Sequence, residues 1–255
     1  MLSNDFLFTL VTSEFFLAYP HPIGIDVMRR ILIPIFSCSK SSNGEIRANS
    51  VALFKIIVER ATDESKEAAL TELLKLAQAG KAMGPDRKVL YTMFSVLSTS
   101  AQVSPVMVKS VPALLAKETN EAALPTLASS LTPHLVFHLR ENLPVPDEVL
   151  KLLVAEMQNS KPVIRRAFVS LVGETFWALE DLTTSAAIVA RSVFTAFESS
   201  LKSVATNPLN ASAGPVEGYI AAAVLLGPFS RSGVFGSSPL SLFILVLISL
   251  IWCYF

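Results

Sequence analysis

Cysteine is scarce: two in 255 residues, Cys38 and Cys253, too few and too far apart for a disulfide framework or a metal quartet. That scarcity fits a reducing compartment. Charge of either sign is not in excess. Twenty-one basic and 21 acidic residues cancel, so nothing at whole-chain level draws the protein toward nucleic acid or anionic lipid. A third absence is local. All 42 charged residues lie at or before Arg231, and the last 24, Ser232 to Phe255, carry none, where the 16% average would place about four. The chain has two compositional regions. The one Asn-x-Ser sequon, Asn210-Ala211-Ser212, bears on the reading only in a secreted chain.

Catalytic signatures are missing too. No Gly-x-Ser-x-Gly elbow gives any serine a nucleophile's setting. The stretch "AGKAMG", Ala79 to Gly84, has a Gly-Lys but lacks the earlier glycine and the Ser/Thr of a phosphate-cradling loop. His134 and His138 in "HLVFH" would share a helix face, with Glu141 one turn further as a third zinc ligand. The glutamate of the metalloprotease motif is leucine here, and no cysteine is near. These histidines read as packing or surface residues. No basic run has interleaved aromatics. The expectation is no catalysis, no cofactor, no metal and no small-molecule substrate.

What is present is helical periodicity. Met28, Ile31, Leu32 and Ile35 make one apolar stripe; Ile46, Leu53, Phe54 and Ile57 a second; Leu70, Leu73, Leu74 and Ala77 a third. Val149, Leu152, Leu153 and Met157 follow, then Ala190, Val193, Phe194, Phe197 and Leu201. The breaks between stripes are short, such as "SSNGE", "AMGPD", "VSP", "LPVPD" and "NSKP". Pro85, Pro105, Pro146, Pro162 and Pro215 sit where helices would begin. The fold class is all-α.

Segments of this length pair into helical hairpins. The second helix of each pair is expected near Glu45, Asp86, Asn120 and Lys161, at steps of 41, 34 and 41 residues. A period near 40 with two helices per unit is the mark of HEAT or armadillo repeats, hence an α-solenoid of about five hairpins. Pro34, Pro112, Pro125 and Pro133 would break an ordinary bundle helix but suit a solenoid, whose kinked helices follow its curvature.

Within "KPVIRRAFVSL", Lys161 to Leu171, Val163, Ile164, Ala167, Phe168, Leu171 and Val172 form one apolar stripe, with Arg165 and Arg166 at its edge. The earlier phrase "GEIRANSVALF" places Arg47 similarly. Arg47 and Arg165, just after the start of a second helix, can reach the neighbouring repeat, stem packed and head on a carboxylate or carbonyl. The alternative is a solvated edge. Arg29, Arg30, Lys161, Arg165 and Arg166 could meet RNA phosphates if presented together, against a plainly solvated face.

The passages "LIPIFSCSKSSNGEIRANSVALFKIIVERA", "NEAALPTLASSLTPHL", "KPVIRRAFVSLVGETFW" and "GPVEGYIAAAVLLGPFSRSG" resemble the N-terminal part of the fungal general-control nonderepressible translational activator family, over roughly Ile23 to Gly233. The resemblance implies a cytosolic, ribosome-associated HEAT-repeat scaffold. It also implies partners among translation-control proteins and help to an amino-acid-sensing kinase that phosphorylates an initiation factor. In that family the kinase-contacting part lies far downstream, so the chain is expected to be a fragment of the scaffold.

The organisation expected is an N-terminal partial helix or cap over 1–22, the repeat array over 23–233 and an uncharged tail over 234–255. "MLSNDFLFTLVTSEFFLAYPHP" lacks the positive start of a signal peptide, and Asp5 and Glu14 interrupt its apolar run. From Pro239 and Leu240 to Phe255 the tail offers 17 apolar-rich residues, about 25 Å as a helix. Alone it reads as a hydrophobic C-terminal helix and a tail-anchor candidate, with Trp252 and Tyr254 at the far interface, and hence as a route to an intracellular membrane. The competing expectation is a gene-model artefact, since the resemblance stops near Gly233.

Overall fold

The computed structural model describes residues 4–79 and 87–206. Among them there are ten helices and no strand. The helices are α1 (Asn4–Ala18), α2 (Ile25–Cys38), α3 (Gly44–Glu59), α4 (Asp63–Gln78), α5 (Arg87–Val96), α6 (Val103–Lys117), α7 (Leu124–Arg140), α8 (Asp147–Glu156), α9 (Pro162–Trp177) and α10 (Thr184–Thr206). One isolated parallel bridge joins Ile23 to Ala61. The Ile23 N–H donates to the Arg60 carbonyl at 2.8 Å, and its own carbonyl accepts from Thr62 N–H at 3.1 Å.

Local chemistry sets the boundaries. Asn43 caps α3, its side-chain oxygen accepting from Glu45 N–H at 2.9 Å, and Thr62 caps α4 through Ser65 N–H at 3.4 Å. Asp63 and Glu64 in the first turn of α4 face the positive end of its dipole. Pro162 opens α9 at a position whose N–H needs no helical partner. "VSP" is not a break: Val103, Ser104 and Pro105 form the first turn of α6. Pro34, Pro112 and Pro133 lie inside α2, α6 and α7, and each helix continues past its proline.

Two compact units divide between His134 and Leu135. In the first, α1 packs on α2 and α3, α2 on α3 and α4, α3 on α5, and α4 on α5 and α6. Each helix meets its next neighbour, its next but one, or both. That pattern is consistent with an α-solenoid. Ile35, Leu53, Phe54, Leu73, Met93 and Phe94 are fully buried there, each worth about 1.5–3 kcal/mol of burial. In the second unit α8 packs on α9 and α10, around Leu153, Met157, Phe168 and Leu171.

The stripes anticipated on α3 and α4 are buried throughout: Ile46, Leu53, Phe54 and Ile57, then Leu70, Leu73, Leu74 and Ala77. On α10 the buried line is Ala186, Val189 and Val193, while Ala190 and Phe194 are half-buried. The inward face is therefore rotated by about one residue from the expected one. Phe197 and Leu201 lie outside the described side chains. So does the expected C-terminal helix, with Pro239, Leu240, Trp252 and Phe255. Among the described residues no helix is long and apolar enough to cross a membrane.

Candidate interaction surface

The predicted basic residues separate into two kinds. Arg47 is half-buried and Arg165 is 2% exposed. The Arg47 guanidinium donates from Nη1 to the Ser41 and Ser42 carbonyls at 2.7 and 2.9 Å. Arg165 donates from Nη1 to the Asn159 carbonyl at 2.5 Å and reaches that of Ser160 at 3.5 Å. These bonds run to the turn within their own hairpin, where the expectation set them against a neighbouring repeat. Turn carbonyls left without helical partners need donors, and a guanidinium six residues on supplies one. Arg165 as a contact for an external phosphate is thereby corrected, since its head is buried.

Arg29, Arg30, Lys161 and Arg166 are exposed. Arg165 and Arg166 are adjacent in sequence, but a helix turns about 100° per residue, so one faces in and the other out. Arg29 stands at a groove of about 540 Å³ between α2 and α4, which Ile33, Phe36, Lys40, Glu72 and Leu76 also line. The sequence stripe on α2 marked its buried side and gave no sign of this outer one.

A buried cluster was also missed. Glu118, 3% exposed at the end of α6, accepts from Arg87 Nη1 on both oxygens at 2.8 and 2.9 Å. It also accepts from the Tyr91 hydroxyl, and from Thr119 and Asn120 N–H at 2.8 Å each. Arg87 Nη2 further reaches the Ala77 carbonyl at 3.4 Å. One carboxylate thus ties the start of α5 and the end of α6, and through Arg87 the end of α4. Burial pushes the Glu118 carboxyl up, yet the Tyr91 hydroxyl, the Asn120 N–H and Arg87 together outweigh it and hold it below the usual value. Tyr91 is pushed up, first by burial and then by Glu118. Arg87 and Tyr91 are spaced i, i+4, but nothing in the sequence names a glutamate 31 and 27 residues away as their partner.

The histidines are core residues. His134 is fully buried, with Nδ1 3.1 Å from the Ser104 hydroxyl and Nε2 without a hydrogen-bond partner. Burial pulls it down to about 4, against a smaller upward effect of the Leu97 backbone, so the ring is neutral at pH 7. His138 Nε2 donates to the Pro144 carbonyl at 3.1 Å, and Glu141 is exposed. Among the described residues no three His, Cys, Asp or Glu side chains gather to hold a metal ion. Cys38 is buried, and burial, with a smaller effect of Asp5, pushes its thiol up. That suppresses the thiolate a nucleophile needs.

What these parts offer is surface: helix faces, exposed cations and the groove between α2 and α4, on a core fastened by buried polar groups. The family model described as general control nonderepressible 1 (Gcn1) N-terminal matches residues 85–241. No curated protein and no solved structure matches the chain.

Proposed function

Because the chain belongs to the general control nonderepressible 1 (Gcn1) N-terminal family, a helical scaffold region and not a known enzyme family, we propose that it is a HEAT-repeat scaffold of a translational activator. It acts by surface contact with ribosomes and translation-control proteins in the cytoplasm, and so promotes activation of the amino-acid-sensing kinase that phosphorylates an initiation factor. The family match carries this reading. The next-neighbour helix packing of the first unit supports it, because such stacks expose long helix faces suited to large partners. Arg29 and Arg30 on α2, with Lys161 and Arg166 at the start of α9, are exposed cations of the kind that meet phosphate.

Sedimentation tests the proposal. Tagged full-length chain added to a eukaryotic translation extract should pellet with ribosomes through a sucrose cushion. It should shift with them when polysomes are collapsed by nuclease. A chain that stays in the supernatant at low and physiological salt would overturn the ribosome reading.

A further inference from the structure

We propose that the groove between α2 and α4 docks an amphipathic helix of a partner protein, with an aliphatic side chain set on Ile33 and an acidic residue toward each end. This goes beyond the scaffold reading, which names exposed cations but neither this groove nor a helical partner.

Leu32, Ile33, Phe36 and Leu76 give the groove its apolar part: Phe36 is 7% exposed, Leu76 is half-buried, and Ile33 is 75% exposed. A lone exposed isoleucine is ordinary on a protein surface. Ile33 differs in lining a groove with Phe36 and Leu76, flanked by Arg29 on its own helix and Lys40 in the turn after it.

Charge identifies the occupant. Arg29 precedes Ile33 by four residues, and Lys40 follows it by seven. Arg29 and Ile33, four residues apart, share one face of α2, and Lys40 stands in the turn just past the helix end at Cys38, lining the same groove. Both cations are exposed, and among the described residues neither has an ion pair. The groove's carboxylate, Glu72, already accepts from Lys75 at 2.7 Å, so it offers little to offset them. From Arg29 to Cys38, the end of α2, is about 14 Å at helical rise, and Lys40 stands two residues beyond. A helix lying along α2 with acid, aliphatic and acid at matching spacing would meet all three at once. Helix-in-groove recognition works through such anchors on successive turns, and the charges at either end would set its register. A nucleic-acid backbone would use the cations but leave Ile33 without a role.

The probe is a fluorescein-labelled alanine–glutamine helical peptide carrying Glu, Leu and Glu at the spacing of Arg29, Ile33 and Lys40, titrated with the purified full chain and followed by anisotropy. Saturable binding is expected. It should weaken about tenfold or more with Ile33→Glu, and likewise with Arg29→Glu plus Lys40→Glu. A peptide with lysines in place of its glutamates should recover binding to the doubly reversed chain and bind the parent poorly. The three side chains are exposed, so circular dichroism should show unchanged helix content. If charge reversal lowers it, Arg29→Gln with Lys40→Gln replaces that variant. Absence of saturable binding, or binding that none of these changes alters, would overturn the proposal. So would poly-uridine RNA binding that falls on charge reversal but ignores Ile33→Glu, where the peptide fails to bind. Failure here leaves ribosome sedimentation unaffected, so the two readings fall separately.

Discussion

Arg47 and Arg165 make the same connection: each guanidinium reaches back to the carbonyls six and five residues before it. They differ in depth, half-buried against 2% exposed. Replacing Arg165 by alanine removes a buried donor and its packed stem, and should cost about 3 kcal/mol; Arg47→Ala should cost about 1 kcal/mol. Urea unfolding of both variants measures the pair. Equal losses would mean that burial does not set the value of this bond.

Glu118 joins more of the chain than any turn arginine does. Glu118→Gln keeps the shape but leaves Arg87 facing a neutral amide, and should cost about 3 kcal/mol at pH 7. The pH dependence has a definite sign. A carboxyl held low in the fold stabilises above its unfolded value of 4.5 and loses that contribution as pH falls through the lower folded value. The Gln variant should therefore lose less stability than the parent between pH 5 and the acid limit of folding (about pH 2–3). Thermal melts across that range decide it, and parallel curves would count against the cluster.

Asn142 tests a different link. It has φ of 55°, in the left-handed region, and its side-chain oxygen accepts from Ser185 N–H at 2.9 Å in the first turn of α10. Asn142→Gly keeps the backbone and loses the cap, for about 1 kcal/mol. Asn142→Ala also puts a Cβ into the left-handed region, for about 2 kcal/mol in total. Chemical denaturation should rank them in that order; a glycine variant weaker than alanine would contradict it.

His134 makes the fold sensitive to mild acid. Its folded value near 4 lies below its ordinary 6.5, so the unfolded chain binds the proton more readily and stability falls as pH drops from 6.5 toward 4. Between pH 7.5 and 5 this one ring should account for about 2 kcal/mol of loss. His134→Leu abolishes that part of the slope, at some constant cost from the Ser104 hydroxyl, which keeps only the Ser100 N–H as a partner. Urea midpoints at the two pH values measure the slope, and an unchanged slope would show that another group carries the acid sensitivity.

Much of the fold was legible because short-range rules govern helices. Second helices expected near Glu45 and Lys161 begin at Gly44 and Pro162, where a cap or a proline fixes the start, while the start expected near Asp86 lies outside the described residues. The third begins at Leu124, four residues beyond Asn120, because Glu118 and Asn120 spend those residues in a turn whose Thr119, Asn120 and Ala122 N–H groups they accept. Arg165 reads as an edge residue in a helical stripe, yet it is buried, because the carbonyls it serves lie in the preceding turn and not on α9. Pairings such as Arg87 with Glu118 depend on how helices stack, which periodicity does not encode. The α2–α4 groove arises from the same stacking, and for the same reason no single stripe revealed it.

The packing of each helix in the first unit on partners one or two places along the chain keeps interacting residues close in sequence. Chains with such local connectivity fold fast, because little loop entropy is lost before contacts form. During synthesis, α3 can settle on α1 and α2 as soon as it emerges, and α4 on α2 after it, with no wait for distant segments. Every newly made helix finds a surface already prepared and leaves one for its successor. Growth at the moving end thus keeps the apolar area awaiting cover to about one helix face at any moment, which limits aggregation while the protein is being made.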